Sequence, residues 1–396
     1  MSTIFNIGRT EKSYSDFVFL VTIIIVGLIP LAYKYIKYNG PYIYSAGSKE
    51  NDGKIVKKLQ KNTGIGIGTI LIPYSFLSTV LSSKAFSNNY KKERCNKIER
   101  TKWKNRSAFT NDYVRSERPV IITDFVKMWP AFKKWTPDFF LNYPNNGNSK
   151  LNNNNVKNDI DNKSPTITIS IGNEESSTTK SLKQKITLRT YMQSIMHKTK
   201  HGLEGNKKNS LPYLKQLDVF QILPLLKKDI NINPFSKWHS TFKTTFLWIG
   251  GYGSMTGMHN DDENNVLCQI YGNKTVYLYP PSAREMLYVN GIYDSGTECC
   301  DIDVASSYED NVNKYPKFHE AKPFEIVCKL SPGDMLYIPK FWYHQVVSDK
   351  NNVSISVNHF VSTPYEFVKY GLKRNFLDFL HAYLNYKNGE CVCCGN

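Results

Sequence analysis

The chain predicts a mainly β fold, a double-stranded β-helix of the jelly-roll type closed around an internal site, with helices packed outside. Two observations carry this. Short apolar runs punctuated by Gly and Pro turns recur from residue 244 to residue 338, at strand length rather than helix length. The residues richest in chemistry, His259, Asp261 and His344, fall on or beside those runs. A third feature stands apart from the β pattern: an uncharged N-terminal stretch that predicts a transmembrane helix.

From Phe17 to Tyr33 the sequence reads FVFLVTIIIVGLIPLAY, followed by Lys34 and Lys37. Ile and Val cover every face of this segment, so a helix there would have no polar side to show to water. With Tyr35 and Ile36 at the interface, a span of about 17–36 is near the length that crosses a bilayer. A signal peptide is the competing reading, but its apolar core is usually shorter and no small-x-small cleavage site directly follows. A second run, GIGIGTILIPYSFLSTVL from Gly64 to Leu81, is diluted by glycine, serine and Pro73. It reads as a second span, an interfacial helix or a packed linker.

The net charge of +17 suggests nucleic acid at first sight, but residues 1–110 hold 18 Lys and Arg against 6 Asp and Glu. That is a net of +12, which leaves +5 for the other 286 residues. A basic excess flanking apolar segments is explained better by membrane topology or lipid headgroups, and nucleic acid is the lesser reading. Lys and Arg are sparse before the first span and dense after it, which places the rest of the chain in the cytosol if only that span crosses. The expectation is a single-pass membrane protein, with the endoplasmic reticulum as one candidate membrane.

Beyond the basic linker, two Asn- and Lys-rich inserts, NYPNNGNSKLNNNNVKNDIDNK and HKTKHGLEGNKKNS, cannot bury enough apolar surface to order themselves and are expected to loop out. Three helices are predicted, at Leu188 to Lys198, Leu223 to Lys228 and Tyr365 to Tyr386. Pro224 suits the first turn of the second. The strands follow. TTFLWIGGYGSMTGMH is an apolar strand running into a Gly-rich turn that delivers His259, and NNVLCQIYGNKTVYLYPP is strand, Gly272 turn, strand and Pro-Pro stop, with Lys274 just after the turn. Pro332-Gly333-Asp334 then turns the chain into the apolar run Met335 to Ile338, ahead of His344.

His259 and Asp261, one residue apart on an extended segment, project to the same side. Joined by a distant His344, they form the 2-His-1-carboxylate set of non-haem iron(II) oxygenases, which leaves positions open for co-substrate and dioxygen. Asp262 is expected to point the other way and Glu263 to lie past the ligand, both on a solvated loop.

These residues resemble a known family, the JmjC or cupin-like iron(II)/2-oxoglutarate oxygenases, over a stretch from Arg118 to Phe360. RPVIITDFVKMWPAFKKWTPDFF is similar to that family's opening segment, and PYLKQLDVFQILPLLKKDI leads on to the metal motifs in the family's order. The resemblance implies the same cupin-like jelly roll, with iron(II), 2-oxoglutarate and dioxygen as cofactor and co-substrates. Binding a keto-diacid needs a cation for its far carboxylate, and Lys274 is the best candidate. By resemblance, Thr256 and Tyr213 add hydrogen bonds to that carboxylate, while Asn265 and Asn358 are polar groups near co-substrate or metal. Asn358 is shifted by a residue relative to some relatives; its neighbour His359 reads as a core histidine.

The implied organisation is a membrane-anchored region over 1–40, a basic linker over 41–110, a catalytic domain over 111–362, and a C-terminal helix with a Cys-containing tail over 363–396. The last helix reads as core packing first and as a homodimer contact second, the role of a helix here in some relatives. The eight cysteines lack a disulfide or zinc spacing and read as reduced thiols. The expected activity is hydroxylation of a protein side chain with release of succinate and carbon dioxide. Lysine demethylation, tRNA-base hydroxylation and a non-catalytic cupin-like binder are the alternatives.

Overall fold

The computed structural model describes residues 97–143, 164–171, 182–201, 212–232, 245–251, 253–362, 366, 370–384, 386–387 and 389–391. The chain divides into two compact units, one of residues 1–88 and 368–389, the other of residues 89–367 and 390–396. Of the first unit, the described element is the helix Leu372–Leu384.

In the second unit, short strands come first as β1 (Glu99–Thr101), β2 (Val120–Ile122), β3 (Thr166–Ile171), β4 (Leu182–Thr187) and β5 (Leu214–Asp218). The central strands are β6 (Thr245–Gly250), β7 (Met255–Asp261), β8 (Asn264–Tyr271) and β9 (Lys274–Tyr279). There follow β10 (Val289–Asp294), β11 (Thr297–Cys300), β12 (Ile326–Leu330), β13 (Met335–Ile338), β14 (Tyr343–Ser348) and β15 (Ser354–Val361). They form a seven-stranded sheet ordered β1-β2-β13-β8-β15-β6-β5, a six-stranded sheet ordered β10-β11-β7-β14-β9-β12, and the hairpin β3-β4. From β6 to β9, and again from β12 to β15, consecutive strands alternate between the two large sheets, as in a jelly roll: β6 and β8 lie in one, β7 and β9 in the other.

Burial explains the layering. Val276, Leu278, Ile326, Cys328 and Leu330 of the six-stranded sheet pack against Ile121, Leu267, Leu336 and Ile338 of the seven-stranded sheet, filling the space between them. The outer face of the seven-stranded sheet is covered by a larger core that includes Trp135, Phe140, Leu188, Tyr191 and Ile195. The outer face of the six-stranded sheet is covered by the segment 281–324 through Ala283, Leu287, Ile302 and Phe318. Each buried Leu or Ile contributes about 1.5–3 kcal/mol on leaving water, so three such layers suffice to fix the sheets. Val327 and Lys329 of β12 stay exposed because alternation turns them outward at a sheet edge.

Helices correct the sequence reading in several places. The stretch 106–141 was expected to hold none, yet it carries Arg106–Phe109, Thr110–Val114, Pro130–Lys134 and Pro137–Leu141. Caps explain two of them: Asn105 accepts from the Ala108 N–H, and Thr136 from the Phe139 N–H with Pro137 at the first position. The helix predicted at Leu188 runs on to His201, into the second insert, because its apolar stripe Leu188, Tyr191, Met192 and Ile195 has a core to bury against. The expected helix at Leu223–Lys228 is a tighter 3-10 helix, Pro224–Asp229, with Pro224 in its first turn. Glu263 is buried rather than solvated, accepting from Ser362 Oγ at 3.1 Å, and Asp262 is half-buried.

Among the described residues no helix is long and apolar enough to cross a membrane. The apolar segments 17–36 and 64–81 lie outside the described residues, as does most of both inserts. Cys268 and Cys328 are buried free thiols.

Candidate metal centre and co-substrate site

Strand pairing assembles the three donors. β7 carries His259 and Asp261 on one face by two-residue alternation, and β14 lies antiparallel beside it with His344 directly opposite His259. The imidazole centroids are 4.2 Å apart, and His344 Nε2 lies 3.6 Å from Asp261 Oδ2. One donor atom from each residue falls within 4.8 Å of the others.

The backbone sets both tautomers. His259 Nδ1 donates to the Gly257 carbonyl at 2.7 Å, and His344 Nδ1 donates to the Trp342 carbonyl at 3.0 Å. Since a carbonyl can only accept, each ring carries a proton on Nδ1, so that a neutral imidazole there has its lone pair on Nε2. Burial, followed by the neighbouring His259, pushes His344 down to about 4, against the opposing pull of Asp261 and the Trp342 carbonyl. The imidazole is therefore neutral at physiological pH, the form that binds metal. Asp261 Oδ1 accepts weakly from Thr297 Oγ1 at 3.4 Å, across the β7-β11 ladder where the two residues pair. Two imidazoles and one carboxylate, all reaching from one concave face, fit a divalent transition metal.

Further along the same face lies Lys274. Counting in twos along β14 from His344 through Val346 reaches Ser348, whose partner on β9 is Lys274. The lysine is 3% exposed and crosses the interior, Nζ donating to Ser356 Oγ of β15 at 2.6 Å and to Tyr213 Oη at 3.5 Å. Burial pushes it down to about 7. Among the described residues no carboxylate forms an ion pair with it. The turn that positions it needs Gly272: φ is +68° there, and a Cβ would collide with the Val353 carbonyl oxygen.

Tyr213 thus stands beside Lys274. Asn265 and Asn358 also meet, Asn358 Nδ2 donating to Asn265 Oδ1 at 3.1 Å while Asn358 Oδ1 accepts from Trp248 Nε1 at 2.7 Å. Thr256 is half-buried on β7 opposite Val346, and its hydroxyl bonds to none of these groups. His359 is a core histidine beside Thr245 Oγ1, at 3.4 Å. Ser356, Trp248 and Thr297 were missed by the sequence reading. The alternation Ser354-Ser356-Asn358 in SISVN, which sets these side chains on one face, was the available signal for Ser356.

The cupin-like domain family matches residues 106–367. The chain belongs to this family. Among its curated relatives, this cupin-like protein is 26% identical over 253 residues to lysine-specific demethylase 8 of Xenopus tropicalis, covering 63% of this chain and 49% of the relative. It is 25% identical over 340 residues to JmjC domain-containing protein E of Dictyostelium discoideum, covering 73% of this chain and 89% of the relative. Human tRNA wybutosine-synthesizing protein 5 shares 34% identity over 140 residues, 35% of this chain and 41% of the relative. The cupin-like chain thus spans about half the length of the Xenopus relative, and its homologues place it among the JmjC proteins.

Proposed function

We propose that this chain is a membrane-anchored iron(II)- and 2-oxoglutarate-dependent dioxygenase that hydroxylates a protein side chain. The observation that carries the reading is the pairing, on one inner face, of a 2-His-1-carboxylate set with a buried lysine bonded to the hydroxyls of Ser356 and Tyr213. About four residues of strand, roughly 13 Å, separate them along the ladder. A five-carbon diacid and the lysine stem together cover such a distance. A pure binder of the same fold has no need for all four groups.

In this reading His259 Nε2, His344 Nε2 and Asp261 hold the iron. Bound there, iron supplies the redox chemistry that couples decarboxylation of 2-oxoglutarate to hydroxylation of an unactivated carbon. Lys274 holds the far carboxylate of the co-substrate, and Tyr213 orients it, with Thr256 within the same face. Asn265 and Asn358, fixed to each other and to Trp248, present amides beside the co-substrate. Leu267, Val276, Leu278 and Leu336 keep water from the interior, which strengthens every charge interaction inside.

A protein substrate is favoured because the demethylase and JmjC relatives align over 63% and 73% of this chain, whereas the tRNA-modifying relative aligns over 35%. Lysine demethylation begins with the same hydroxylation, on an N-methyl carbon. The test is succinate release by the full chain in detergent with iron(II), ascorbate and 2-oxoglutarate, against His259→Ala. Release by the parent alone supports the oxygenase; equal background from both, with no iron or 2-oxoglutarate affinity, rejects it.

The anchor is the apolar run 17–36, uncharged as far as Tyr33, with the catalytic domain on the cytosolic side. Carbonate extraction of the tagged full chain checks it: retention in the membrane pellet is expected, and release into the supernatant ends the idea.

A further inference from the structure

The back of the ligand strands carries a second constellation. Asn260 lies between His259 and Asp261, and Tyr343 immediately precedes His344, so alternation turns both away from the donors to the opposite face of the sheet. There they converge on one side chain, Glu298 of β11. Asn260 Nδ2 donates to Glu298 Oε2 at 3.1 Å and Tyr343 Oη donates to the same oxygen at 2.6 Å. Arg284 completes the set, its Nη2 lying 3.0 Å from Glu298 Oε1. Asn260 and Tyr343 are 3% and 1% exposed, whereas the side chains of Glu298 and Arg284 keep 31% and 40% exposure, so the cluster runs from the buried sheet face out to solvent. Burial on its own raises the Glu298 pKa, but the bonds from Arg284, Tyr343 and Asn260 outweigh it and hold the carboxylate below its usual range.

From the His344–His259 pair to the next, Val346–Thr256, β14 advances two residues and β7 three, so β7 bulges on one side of the ligand pair and the ladder is interrupted there. On the other side of the pair, the cross-link through Glu298 on the reverse face braces β7 against β14. We propose that Glu298 is a positioning residue for the metal triad, fixing β7 against β14 through Asn260 and Tyr343. This inference rests on the metal-centre reading above.

The same sheet face offers an internal control: Tyr279, the cross-strand neighbour of Tyr343 on β9, donates from Oη to Glu325 Oε1 at 2.6 Å, an equivalent bond to a carboxylate that precedes β12 rather than to Glu298. The experiment is titration of the metal-free full chain with cobalt(II) as probe, read by its visible ligand-field bands and dissociation constant, alongside thermal melts without metal. Glu298→Gln is expected to weaken cobalt binding about ten- to hundredfold and to alter the bands, with Tyr343→Phe moving the same way to a smaller extent. Tyr279→Phe is expected to leave both unchanged while losing as much thermal stability as Tyr343→Phe. Should Glu298→Gln not fold, Tyr343→Phe carries the test, because it leaves the Arg284–Glu298 pair in place. Parent-like cobalt binding by Tyr343→Phe, or equal weakening by Tyr279→Phe, overturns the positioning role alone. A parent that binds cobalt no better than His259→Ala overturns the metal centre as well.

Discussion

Burial lowers the proton affinity of two bases on the inner face, His344 to about 4 and Lys274 to about 7, and the consequences are opposite. At His344 the neutral form is the useful one, so desolvation prepares the ligand. At Lys274 the useful form is the ammonium, and desolvation opposes it. The structure answers with two hydroxyls, Ser356 and Tyr213, which stabilise a cation far less than a carboxylate does. One end of the interior is finished by the protein; the other is left for an anion to complete.

His259→Ala should have the largest effect, abolishing metal binding and succinate release while leaving the lysine end intact. That end has its own signature. The unfolded lysine titrates near 10.5 and the folded one near 7, so between these values the unfolded state binds more protons and stability rises with pH. Below pH 7 the full penalty applies, on the order of a few kcal/mol. The slope between pH 7 and 10.5 should survive in His259→Ala and vanish in Lys274→Met, as read by denaturant melts across that range. His344 gives a slope elsewhere: stability falls as pH drops from 6.5 toward 4, because the unfolded imidazole takes up a proton first.

Lys274→Met comes next in size. It should raise the KM for 2-oxoglutarate by about a hundredfold or more, the scale of losing one partner of a buried charge pair. It should also stabilise the ligand-free protein by about 1–4 kcal/mol and leave cobalt affinity unchanged. A variant that loses metal together with co-substrate would break the separation of the two ends. Ser356→Ala removes the shorter of the two lysine bonds and should destabilise by about 1–3 kcal/mol, with a rise in KM near tenfold. Gly272→Ala forces a left-handed residue against the Val353 carbonyl and should cost about 1–3 kcal/mol, again with its kinetic effect on KM rather than metal affinity. Tyr213→Phe, removing a 3.5 Å contact, should shift KM by no more than about threefold.

The sequence made the donor positions legible because each depends on local rules. Two-residue alternation joins His259 to Asp261, and the Gly272 turn fixes where Lys274 starts its strand. The partners across the interior were harder to see. Ser356 meets Lys274 from the opposite sheet, 82 positions along the chain, and nothing in SISVN alone says which strand it will face. Trp248 reads as one more aromatic in an apolar strand until Asn358 is found beside it. Glu263 looked like a loop carboxylate because its burial is made by Ser362, 99 residues away. The helices of 106–141 escaped because each is four or five residues long, below the length at which periodicity shows, and caps announce two of them, at Asn105 and Thr136.

The two histidines each take their orientation from a carbonyl two residues earlier in the chain. The instruction for which nitrogen faces inward is thus written within three consecutive residues, Gly257 to His259 and Trp342 to His344. Such a half-site is portable: its ring chemistry travels with the tripeptide wherever the strand conformation is kept. Substitutions in distant side chains can alter how far apart the two rings stand, but they cannot exchange the proton from one nitrogen to the other. Directionality at this centre is a property of the main chain, which mutation of side chains leaves untouched.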